Sequence, residues 1–161
     1  MKMIGLSFNW PVFFEIGLIV LVVSALIVVS AVLITRTLRN KYREVFKYHS
    51  KLEIELRKAV NLLSKKVVSP ELDKYQDLTI KDLSHDQKKE LMILIETLFA
   101  KIDKEDQELA YVVETYERLQ EMRRVRDGKA IIFNHQITMF PFNIYSRILK
   151  MKKWDLFTHQ E

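Results

Sequence analysis

The sequence predicts an all-α protein: an N-terminal transmembrane helix that continues into a long antiparallel helical hairpin or bundle. Three observations lead there. Residues 16–35, IGLIVLVVSALIVVSAVLIT, carry no charge. Past them, apolar side chains recur at alternating steps of four and three, the period of a helix with one buried stripe. The 161 residues include only 3 Gly and 3 Pro, too few for a β protein rich in turns. The expected organisation is a short extracytoplasmic N-terminus (1–15), a span (16–35) and a cytosolic helical bundle (36–161).

The span is long enough for its task. At 1.5 Å per residue, twenty residues cover roughly 30 Å, the thickness of a bilayer's hydrocarbon core. Ser24, Ser30 and Thr35 can bond back to carbonyls of their own helix. A cleaved signal peptide would have a shorter apolar run behind a basic start, whereas Glu15 precedes this one. A buried core helix of this character would need a larger protein around it.

Flanking charge sets the expected orientation. Arg36, Arg39, Lys41, Arg43 and Lys47 follow the span, with only Glu44 against them. Positive flanks stay in the cytosol, so the N-terminus is expected outside. Trp10, Phe13 and Phe14 suit the outer interfacial belt, and Tyr42 and Phe46 the inner one. Arg36, Arg39, Lys41 and Arg43 are candidate contacts for anionic headgroups, at about 1 kcal/mol per nearby charge; a plain stop-transfer flank explains them equally well. Gly17, Ser24 and Ala31 lie seven apart on one face, where small residues let membrane helices approach closely.

The first cytosolic stripe reads Leu38, Tyr42, Val45, His49, Leu52, Leu56, Ala59 and Leu63. No helix breaker separates it from the span, so one rod to about Lys66 is expected, with Lys41, Glu44, Lys51, Glu55 and Lys58 on its outer face. His49 reads as a packed bundle residue. Residues 67–86 contain turn and cap types (Ser69-Pro70, Asp73, Asp77, Asp82, Ser84) among apolar positions, which suggests a packed connection. Ser84 or Asp86 can cap the next helix. That helix is expected from Asp86 to about Arg126, with the stripe Leu91, Ile95, Leu98, Ile102, Glu105, Leu109, Val112, Tyr116 and Leu119. Gly128 can kink or interrupt it. Pro141 should end the apolar segment 130–140, Asn143 should cap a last helix over 144–151, and Trp154 and Phe157 should fold the tail back onto the bundle.

No catalytic, cofactor or metal site is expected. Without Cys there is no thiolate zinc site or Cys nucleophile. None of His49, His85, His135 and His159 has a Glu three residues before it, as a di-iron bundle requires. Gly5, Gly17 and Gly128 are isolated, which excludes a Gly-rich phosphate loop. The acidic run 103–108 could bind a cation, but a solvated face explains it more simply. Arg123, Arg124 and Arg126 could meet phosphates, yet basic residues near a helix end also favour the macrodipole. No aromatics interleave them, and a net charge of +5 is modest, so nucleic acid is not an expected partner.

The C-terminal third resembles the LemA family of bacterial membrane-anchored helical proteins. The residues that carry this are Arg123, Phe133-Asn134, Phe140-Pro141-Phe142-Asn143, Ser146, Trp154 and Phe157, with Tyr42 after the span. Arg126-Asp127 stands where that family has another aromatic-Asn pair, and Arg43 follows Tyr42 in place of Asn. The resemblance implies an antiparallel helical bundle on an N-terminal membrane helix, without established catalysis. The expected function is that of a membrane-anchored scaffold of the bacterial cytoplasmic membrane, whose partners are the lipid bilayer and another copy or another membrane protein. An assembly of spans forming a pore or remodelling membrane is the alternative, and a metal-binding enzyme the third reading.

Overall fold

The computed structural model describes residues 10–67, 69–102, 106 and 109–158. Among them the regular structure is entirely helical: α1 (Trp10–Lys66), α2 (Pro70–Gln76), a 3-10 turn (Ile80–Asp82), α3 (His85–Phe99), α4 (Ala110–Gln136) and α5 (Phe142–Ile148). The uncharged run 16–35 and the first apolar stripe are indeed one rod. Its 57 residues reach about 85 Å at a helix's rise.

α1 changes character along its length. Its most apolar 18 residues have a mean hydropathy of 3.1, and none of them is buried. It is long and apolar enough to cross a membrane. Back-bonding satisfies its polar side chains there: Ser24 Oγ donates to Leu21 O and Ser30 Oγ to Leu26 O, both at 2.8 Å. From Leu38 onward one face is covered, with Leu38, Val45, Leu52, Leu56, Ala59, Val60 and Leu63 all buried. The predicted stripe is therefore the packed face, with His49 half-buried within it.

Every other element packs on α1. Two cores result. The distal one joins Leu52–Leu63 of α1 to Leu72, Ile80, Leu91, Ile95, Val112 and Leu119. The proximal one joins Leu38 and Val45 to Ala130, Phe133 and Ile137, with Phe142, Tyr145 and Leu149 around them. α4 thus runs back along α1. Lys129 Nζ meets Glu44 Oε1 at 2.7 Å, and the Phe133 ring lies 5.7 Å from that of Tyr42.

The connection after α1 is packed as expected, and it contains α2. Arg57 fastens it by donating to Leu78 O at 2.5 Å. Ser84 caps α3 in a reciprocal box with Gln87, whose amide donates to Ser84 Oγ at 3.2 Å while Gln87 Oε1 accepts from the Ser84 amide at 2.8 Å.

The expected continuous helix 86–126 is instead two helices. α3 ends at Phe99 and α4 starts at Ala110. The break brings the ring of Phe99 to 3.8 Å from that of Tyr116, nearly parallel. In a straight helix these residues would stand roughly 25 Å apart. Most of the acidic run, including Asp103 and Glu105, lies outside the described residues; Asp106 is exposed. Gly128 does not interrupt α4, which continues to Gln136. Arg123, Arg124 and Arg126 are therefore well inside the helix, so the macrodipole explanation fails for them.

α4 ends before Pro141 rather than at it. Proline has no N–H for the carbonyl four residues back, which is that of Ile137. Ser146 Oγ donates to this buried carbonyl instead, at 3.2 Å. Pro141 itself precedes α5, and Asn143 is not a cap. The backbone is already helical at Pro141, so Asn143 lies within α5, where its Oδ1 is buried without a partner.

Candidate functional site

Between the two cores the helices enclose a compact set of charged and aromatic side chains. α1 supplies His49 and Glu53, α3 supplies His85 and Lys88, and α4 supplies Arg126 and Asp127. Over them lies an extended segment, residues 151–158, carrying Trp154 and Phe157.

Lys88 and Arg126 are buried cations, each held by a carboxylate. Lys88 Nζ lies 2.6 Å from Glu53 Oε1, and His49 Nε2 lies 3.3 Å from the same oxygen. Arg126, 1% exposed, donates through Nη1 to Asp127 Oδ1 at 2.8 Å and to the carbonyl of Asp155. Its guanidinium lies 4.8 Å from the centre of the Phe157 ring and 5.5 Å from that of Trp154. Cations favour the faces of aromatic rings, more so when desolvated.

Asp127 carries most of the fastening. Its Oδ2 accepts from the amides of Phe157 at 3.1 Å and Thr158 at 2.8 Å, and from Thr158 Oγ1 at 2.6 Å. Burial pushes this carboxyl up, but the hydrogen bonds from Thr158, Arg126 and Phe157 outweigh it and hold the carboxyl below its ordinary value of 3.8. One heptad further on, Asn134 does the same for Trp154. Its Nδ2 donates to Trp154 O and its Oδ1 accepts from the Trp154 amide, both at 2.8 Å.

The spacing of these contacts follows from geometry. Seven helical residues rise about 10.5 Å, and three extended residues span about 10 Å. Asn134 and Asp127 therefore present side chains in step with Trp154 and Phe157, and the tail runs antiparallel to α4.

Two histidines line the inner side. His85 Nε2 is 3.2 Å from Leu156 O, and its ring lies 4.4 Å from that of Phe157. The His49 ring stacks at 6.2 Å on Phe157 and lies 5.7 Å from Trp154. Burial lowers the affinity of His49 for a proton below the ordinary 6.5; Glu53 opposes this, while Arg126, Lys88 and His85 reinforce it. A groove of about 790 Å³ opens beside this cluster over Phe46, Glu53 and Ile54.

Chemically the arrangement is a latch. Its charges engage one another or main-chain groups of the tail. Among the described residues no group of three or more His, Asp or Glu converges as a metal site would require.

Of the residues singled out in sequence, Phe133 and Asn134 belong to the latch and its adjoining core. Tyr42 does too: expected both in the apolar stripe of α1 and near the inner membrane interface, it packs at 5.3 Å on Trp154. Phe140 and Pro141 form the turn into α5 and Asn143 lies in its first turn, away from the latch. Gly17 and Ser24 are exposed and Ala31 half-covered, with nothing within 4 Å of a Cβ built on Gly17. Arg36, Arg39 and Arg43 are exposed, and Lys41 pairs with Glu44 at 3.6 Å. Glu53, His85, Lys88, Arg126 and Asp127 were not expected here. Arg126-Asp127 did carry a signal, since it stands seven residues before Phe133-Asn134 on the same helix.

No family model, curated protein or solved structure matches the chain.

Proposed function

We propose that this chain is a single-pass protein of the bacterial cytoplasmic membrane, whose helical bundle stands in the cytosol as a scaffold for other proteins and performs no catalysis. One observation carries the reading: α1 is a single helix whose side chains are uncovered through its apolar stretch and covered on one face from Leu38 onward. An apolar helix surface of that size needs lipid around it. The basic flank from Arg36 to Lys47 supports a bundle on the cytosolic side. The rigid rod would hold the groove over Phe46 and Ile54, two exposed apolar residues, at a set height above the bilayer. The similarity of the C-terminal third to the LemA family supports the same architecture, an antiparallel bundle on a membrane helix.

The chain has no cysteine, so single replacements report cleanly on sidedness. Ser7→Cys should react with an impermeant maleimide in intact cells, and Asn61→Cys, exposed on α1, only after lysis. The reverse pattern would put the bundle outside. Full-length chain left in the supernatant of detergent-free fractionation would remove the span altogether.

A further inference from the structure

The end of α4 and all of α5 lie beside the place where α1 leaves its apolar stretch. The register follows from two contacts, Lys129 with Glu44 and Phe133 with Tyr42. Continued ten residues toward the N-terminus of α1, it brings Met139 level with Ile34. The proximal core agrees, since Ile34 packs in it together with Phe142, Tyr145 and Leu149. Thr35 is the last uncharged residue of the span and Arg36 the first charged one. The turn 137–141 and α5 therefore sit where hydrocarbon gives way to headgroups, if α1 spans as proposed above.

α5 has two apolar faces. Phe142, Tyr145, Ser146 and Leu149 face the protein. On the other side Ile144 and Ile148, four residues apart in the helix, share one face, and Phe140 lies in the turn just before the helix. Phe140, Ile144 and Ile148 are 78%, 48% and 69% exposed, and Met139 beside them is 49% exposed. The exposed charge at this depth is of one sign. Arg147, Lys150 and Lys153 are exposed beside the patch, and Arg36, Arg39 and Arg43 are exposed at the same level on the face of α1 away from α5. From residue 139 to 153 there is no acidic residue, and the single acid between residues 36 and 47, Glu44, is held by Lys129.

We propose that Phe140, Ile144 and Ile148 insert into the cytoplasmic leaflet of the same bilayer that α1 crosses, with the surrounding Arg and Lys side chains on anionic headgroups. Apolar side chains on one face, flanked by basic ones, are what an interfacial helix requires. α5 is too short to bind a membrane strongly by itself. Tethered by α1 at the right depth, it needs little affinity of its own, because the span supplies a high local concentration. Insertion would fix the tilt of the bundle against the membrane, where a span alone leaves it free to swing.

The test uses the full chain reconstituted in phosphatidylcholine vesicles, with and without phosphatidylglycerol. An environment-sensitive NBD label is placed on a single Cys at Phe140, Ile148, Val22 or Lys58, and lipids carry a nitroxide quencher at shallow or deep positions. Labels at 140 and 148 are expected to shift to the blue and to lose at least half their emission to the shallow quencher, more so with the anionic lipid. The label at 22 should respond to the deep quencher and that at 58 to neither. If 22 is quenched while 140 and 148 behave like 58, the span stands and the insertion is wrong. If 22 is not quenched, the span itself fails. If 140 and 148 shift to the blue without quenching, and the shift vanishes as protein is diluted in lipid, a second copy covers this face and the proposal is overturned.

Discussion

Asn134 and Trp154, twenty residues apart in sequence, exchange two 2.8 Å hydrogen bonds, one in each direction between the Asn134 amide and the Trp154 main chain. A side-chain amide here does what a neighbouring strand does in a sheet, offering one donor and one acceptor to an extended residue. The tail from 151 to 158 has no regular structure of its own, so its backbone groups depend on such partners.

Replacing Asn134 by Ala should remove both bonds and leave half-buried main-chain groups of Trp154 unmatched. A loss of about 1–3 kcal/mol is expected, read as a lower urea midpoint of the full chain in detergent micelles. Asn134→Asp keeps the acceptor but replaces the donor with a charge, and should lose a comparable amount. A midpoint equal to the parent's in both variants would show that the exchange does not hold the tail.

Asp127→Ala should cost more, about 3 kcal/mol or above, because it leaves the Arg126 guanidinium buried without its carboxylate. The Thr158 and Phe157 amides lose their acceptor in the same step. Faster proteolysis after Lys152 and Lys153, and faster amide exchange over residues 154–158, would report the freed tail. Protection equal to the parent's would place the fastening elsewhere.

The latch should also respond to pH, in a direction fixed by two groups. His49 is held below 6.5 by burial, so the unfolded chain binds the proton more readily than the folded one. Its contribution is therefore complete above pH 6.5 and is lost as pH falls below that value. Asp127 is held below 3.8, so its contribution is lost only under strongly acidic conditions. Stability should decline from pH 7 to pH 5, and His49→Gln should flatten that decline. An equal slope in the variant would assign the effect to another group.

If copies associate through their spans, Gly17, Ser24 and Ala31 are the positions where two helices can come closest. Replacing all three by Leu should then abolish cross-links between copies in native membranes. Cross-linking equal to the parent's would put the contact on another face or outside the span.

The single long helix and its buried stripe were legible in the order of residues, and Ser84 was one of the two caps it offered for the next helix. Each depends on local chemistry: an uncharged run of sufficient length, a period near 3.6, or a Ser three residues before a Gln. The break between α3 and α4 was not legible, because Leu91 to Leu119 keeps a helical period throughout and nothing local demands a turn. The break allows Phe99 to stack on Tyr116 and lets both helices lie on α1. The latch was hidden for the same reason. Arg126 and Asp127 look like two more charges in a basic helix, and only the returning tail, with aromatic residues in step with the helix rise, makes a buried pair of them. Sequence by itself determined the long first helix, its buried stripe and the membrane-compatible stretch, since these arise from neighbours a few residues apart. Tertiary structure alone decided which charges lie inside and which side chains fasten the returning tail, because those outcomes depend on groups that meet only after the helices have packed.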